Sequence, residues 1–81
     1  MNADPNQQLF ARLFIEAAES QDMKGQIELT NWLIRQPWSA SETRNRIAHA
    51  LSIVKIASVP ATYARAKEIG RNLTEASYRL G

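Results

Sequence analysis

The side chains with reactive chemistry to offer are few. His49 is the only histidine, cysteine is absent, and the two aspartates, Asp4 and Asp22, stand near the ends of the first apolar stripe. A catalytic or metal-holding constellation would have to be assembled almost wholly from glutamates. A lone imidazole finds no second ligand for a metal and no partner to poise it as a base. His49 lies two residues after Ile47 and one before Ala50, the position of a half-exposed histidine on the flank of a helix. No glycine-rich phosphate loop, HExxH or GxSxG pattern occurs. The expectation is a protein that is not an enzyme and takes no cofactor and no metal.

What remains is binding chemistry, and it gathers around one junction. Trp32 and Trp38 flank Pro37, with Arg35 between them, and Arg44 and Arg46 follow shortly after. Tryptophan and arginine are the residue types that dominate interface hot spots. The competing reading places both indoles inside, because a chain this small needs its large aromatics for a core. Arg44, Arg46 and His49 fall in the first turns of a helix, where the helix dipole does not favour cations. Glu42, four residues before Arg46, offsets part of that. The patch reads either as a surface facing an anionic partner beside Trp38 or as a solvated helix face. Arg35, Trp38, Arg44 and Arg46 are the expected partner-binding residues.

The segment Gln36-Pro37-Trp38-Ser39-Ala40-Ser41-Glu42 must position them. Proline lacks the N–H of a helix interior and pushes the preceding residue out of helical angles, so one helix ends near Gln36. Ser39 and Glu42 then have the spacing of a capping box, which starts the next. Elsewhere the chain reads as helix throughout. Asp4, Pro5 and Gln7 form a helix beginning, and Leu9, Phe10, Leu13, Phe14 and Ala17 recur at helical spacing over about 5–20. A second helix, about 24–36, carries Ile27, Leu29, Trp32, Leu33 and Ile34 around more than half of its circumference, which predicts contact with more than one neighbour, another chain being one option. Gly25 near its start costs helix propensity. A third, about 40–57, places Ile47, Ala50, Leu51, Val54 and Ala57 on one stripe and turns apolar all round in its last turns, which are expected to be central. Ser58-Val59-Pro60 breaks it and opens a fourth, about 60–79, whose stripe Ala66, Ile69, Leu73, Ala76 and Leu80, with Gly70 beside it, invites close helix approach.

The whole is expected to be all-α, a compact bundle of four helices in a single domain over 1–81, with the third and fourth helices at its hydrophobic centre and the first laid across them. Met1-Asn2-Ala3-Asp4-Pro5 lacks the basic-then-apolar pattern of a signal peptide, and no apolar run approaches the ~20 residues that cross a bilayer. The reading is a cytoplasmic protein with no membrane partner.

The formal charge of +2 hides an asymmetry. Residues 1–40 carry three basic and five acidic side chains, and residues 41–81 seven basic and three acidic, or −2 against +4. In the fourth helix Glu68 and Glu75 are spaced to pair with Arg71 and Arg79, which leaves a self-paired face. A helix-turn-helix is disfavoured between the third and fourth helices, where eight helical, apolar residues stand in place of a short turn, and between the second and third offers only Arg44, Asn45 and Arg46 to bases. The expected function is non-catalytic binding to a larger protein partner, as a small regulator, adaptor or inhibitor. A DNA-binding regulator using the basic second half is the first alternative and a self-assembling homodimer the second.

Overall fold

Local signals at the chain's breaks set the helix ends. The computed structural model describes residues 4–80, with side chains through Arg79, so Leu80 of the expected stripe contributes no side chain to the description. Helix α1 spans Pro5–Glu19, opened by Asp4, whose carboxylate accepts from the Asn6 N–H at 2.9 Å. Helix α2 spans Lys24–Ile34; the Asp22 carboxylate accepts from the Lys24 N–H at 3.0 Å and from the Ser20 hydroxyl at 2.9 Å. Helix α3 spans Ala40–Ala57 and α4 spans Pro60–Leu80. The Ser39 hydroxyl accepts from the Glu42 N–H at 3.1 Å, the first half of the expected capping box. The Glu42 carboxylate does not complete it; it accepts from Arg46 Nε at 3.0 Å, since a charged donor outcompetes a backbone amide.

These helices pack as an all-α bundle, with no strand among the described residues. The centre is not where the sequence placed it. Helix α1 packs against all three others, and α2 touches no helix but α1. Phe10, Phe14 and Ala17 are fully buried at the middle of the core with Leu29, Ala50, Val54 and Ala66. Phe10 and Phe14, one turn apart on α1 and both fully buried, are the largest side chains wholly inside, so the core forms around them. The last turns of α3 are central only in part: Val54 is fully buried and Ile53 half-buried, but Ile56 is 88% exposed and Ala57 is exposed as well. In α4 the buried side is Thr62, Ala66, Ile69, Gly70 and Ser77, with Leu73 half-buried and Ala76 exposed, so small and polar residues carry much of the expected stripe.

Two glycines set how closely the helices approach. A Cβ on Gly25 would lie 2.9 Å from Ala17 Cα and 3.0 Å from the Glu16 carbonyl, so α2 rests directly on the backbone of α1. A Cβ on Gly70 would meet the Leu51 side chain at 2.8 Å, bringing α4 close to α3 as its small-residue face led one to expect. Helices α3 and α4 run antiparallel along their whole length. Arg44 meets Ser77 and Tyr78, Leu51 meets Gly70, and Lys55 meets Tyr63, pairs that advance on one helix as they retreat on the other.

Candidate functional site

Trp38 follows the proline that stops α2 and lies between two environments. On one side it joins an aromatic cluster, its ring 5.7 Å from those of both Phe10 and Trp32, while Trp32 lies 5.1 Å from Phe10. The two indoles meet edge to face, the arrangement that aromatic quadrupoles favour. On the other side Trp38 lines an open groove of ≈ 430 Å³. Both indoles are half-buried, so each belongs in part to the core and neither is wholly given to a surface.

The groove exists because α2 and α4 do not touch. Leu33 and Ile34 close α2 on one bank, Leu73, Ala76 and Ser77 form the other on α4, and Ala40 and Thr43 cross one end. Its walls are mainly apolar. The bank on α2 continues along the exposed outer face of that helix, where Met23, Ile27 and Ile34 recur at helical spacing and are 59%, 54% and 74% exposed. The wide apolar arc expected for α2 is therefore real, yet a single neighbour covers only part of it, and the remainder faces outward.

The expected partner-binding residues divide. Arg35 is exposed at the groove's rim, next to Ile34, and makes no ion pair among the described residues. Arg46 is engaged by its own chain: its guanidinium lies 4.6 Å above the Trp38 ring, pairs with Glu42 at 3.0 Å and reaches Asp4 at 3.4 Å. Those partners hold its proton more firmly than usual, chiefly through the hydrogen bond to Glu42. Gln7, buried at the α1–α3 contact, completes the tie by donating to the Arg46 carbonyl at 2.8 Å. Arg44 stacks 4.1 Å from the centre of the Tyr78 ring and donates to the Ser77 hydroxyl at 3.4 Å. So the structure brings Trp38 and Arg46 together, turns Arg44 toward α4, and leaves Arg35 free on the rim.

The α4 charges differ from the expected self-paired set. Among the described residues Arg65–Glu68, at 3.9 Å, is the only ion pair on that helix, and Lys67, Arg71 and Arg79 have none. Tyr63 lies between two ammonium groups, Lys55 at 6.0 Å and Lys67 at 5.5 Å from the ring centre. His49 is exposed, and no three His, Asp or Glu side chains converge among the described residues. No helix there is long and apolar enough to cross a membrane. Sequence reasoning missed the groove, because Leu73 and Leu33 are assigned to a core by their periodicity; the surplus breadth of α2's apolar arc was the signal that pointed to it. Comparison with known families, curated proteins and solved structures brings no match.

Proposed function

We propose that this chain is a non-catalytic binding module that docks an amphipathic helix of a larger protein in the groove between α2 and α4, acting there as an adaptor, regulator or inhibitor. The observation that carries this is the row of exposed apolar residues Met23, Ile27 and Ile34 on the outer face of α2, with Thr30 and Asn31 in the turn between, running beside the open Leu33–Leu73–Ala76 groove. A helix laid in a groove contributes apolar anchors along one face, and Met23, Ile27 and Ile34, four and then seven residues apart, share one face of α2 against which such a ridge can lie. Covering an exposed isoleucine is worth roughly 1.5–3 kcal/mol, so Ile27 and Ile34 together supply a useful share of a micromolar affinity. The rim selects among apolar helices. Lys24 and Arg35 flank the α2 bank and Arg79 lies one turn beyond Ala76, so a ligand with acidic residues beside its apolar ridge fits best.

Capture from a lysate of the encoding organism tests this, using the wild type beside Ile34→Asp and Arg35→Glu. Both sites are exposed, so the fold survives, and a specific partner is retained by the wild type and lost by both variants. A partner retained equally by all three refutes the groove. Self-association gives a different signature: sedimentation shows a concentration-dependent dimer that Ile34→Asp dissociates. Leu29 is fully buried within its own chain and takes no part in such a contact.

A further inference from the structure

We propose that the seam of α3 and α4 binds single-stranded nucleic acid through its phosphates and bases, without reading sequence. This surface is distinct from the groove: the groove uses the α4 side carrying Leu73 and Ala76, and the seam uses the side carrying Tyr63, Lys67, Arg71, Thr74 and Tyr78. Helical register places Lys67 and Arg71 one turn apart, with Tyr63 one turn before them and Tyr78 two turns after. From α3 the seam receives Arg44 on Tyr78 and Lys55 on Tyr63. The outer positions of α3 that continue it, Ser41, Asn45, Ala48, His49 and Ser52, carry no acid. Glu42 turns to Arg46 on the α1 side, while Glu68, which pairs with Arg65 at 3.9 Å, and Glu75 border the strip along its outer edge beside Arg71.

Four cations on one strip, Lys67 and Arg71 among them without ion pairs, supply a charged track for phosphates, and Tyr78 supplies an aromatic face for a base. Tyr63 and Tyr78 are 15 residues apart on one helix, about 22 Å, long enough for several nucleotides. Tyr78 is 65% exposed, and Arg44 covers one of its faces, leaving the other open to a base. The antiparallel, side-by-side packing of α3 and α4 gives a flat face with no projecting helix for a major groove, so a single strand is favoured over duplex reading. Arg46, which the sequence grouped with Arg44, takes no part because it faces α1.

Fluorescence anisotropy with a labelled thymidine oligonucleotide of about 20 nucleotides, titrated from about 20 to 200 mM salt, tests the assignment. Four neutralised phosphates predict a slope of log K on log salt of about −3. Lys67→Gln with Arg71→Gln, both exposed and free of ion pairs, brings that slope to about half. Tyr78→Leu weakens binding by about tenfold at unchanged slope. Ile34→Asp leaves binding intact, which separates this surface from the groove. No binding at the lowest salt, a slope indifferent to the Lys67/Arg71 pair, tighter binding of duplex of the same length, or equal displacement by polyglutamate each overturns the proposal.

Discussion

Two glycines in this chain make a matched experiment. By propensity alone, Gly25→Ala in α2 and Gly70→Ala in α4 each stabilise by about 1 kcal/mol, the helix preference of alanine over glycine. The structure separates them by what the new methyl meets. At Gly25 it meets backbone, Ala17 Cα at 2.9 Å, the Glu16 carbonyl at 3.0 Å and Ala17 N at 3.2 Å, none of which moves without displacing α1. Helix α2 must lift by several tenths of an ångström, and since α1 is its only helix neighbour, Leu29 and Trp32 lift with it. Overpacking of this kind costs about 1–3 kcal/mol, and the rigid obstacle places Gly25 in the upper part of that range. Net of propensity, Gly25→Ala destabilises by about 1–2 kcal/mol. At Gly70 the obstacle is the Leu51 Cδ1 atom at 2.8 Å, the far end of a side chain that can rotate away. The two terms nearly cancel there, within about 0.5 kcal/mol of neutral. Urea unfolding followed by circular dichroism reads both midpoints. If Gly25→Ala is as stable as wild type or more so, the close seating of α2 on α1 is refuted.

Removing the α3 cap with Ser39→Ala costs about 1 kcal/mol, because the Glu42 N–H loses its acceptor; an unchanged urea midpoint would discount the cap. Acid stability follows the two capping aspartates. The Asn6 N–H, and then Arg46, hold the Asp4 carboxyl below its ordinary 3.8, while the Lys24 N–H and the Ser20 hydroxyl do the same for Asp22. A carboxylate with a depressed folded-state pKa contributes its stability in full above the unfolded value and loses it as pH falls through the folded one, so the contribution disappears below about pH 4. Asp4→Asn and Asp22→Asn should therefore flatten the acid limb of a pH–stability profile below about pH 4, and a limb as steep as the wild type's would contradict this.

The helices were legible because their ends are written locally. Asp4-Pro5, Pro37-Trp38-Ser39 and Val59-Pro60 stop and start the backbone by sterics and capping that need no tertiary information, and the expected 40–57 for the third helix coincides with Ala40–Ala57. The identity of the central helix was not legible. Periodicity says which face of a helix is apolar and nothing about how many neighbours share it, so α3, apolar at its end, was preferred to α1, and Ile56 proves exposed. The partial cap of Glu42 and the seating of Gly25 depend on contacts between distant segments, as does the tie from Arg46 to Asp4 across 42 positions. Of the site, the Glu42–Arg46 pair could be read from spacing. The stacking of Arg46 on Trp38 could not, since a turn carries no periodicity from which to infer direction.

Because α2 leans on one helix alone, the molecule is mechanically a three-helix body carrying a fourth as an appendage. Peeling that appendage away breaks its seam with α1 and the Trp32–Trp38 contact while leaving α1, α3 and α4 packed, an excursion short of whole-chain melting. A ligand spanning α2 and α4 would bolt the appendage to the body on its unsupported side, and the tightening it brings would spread to every amide of α2.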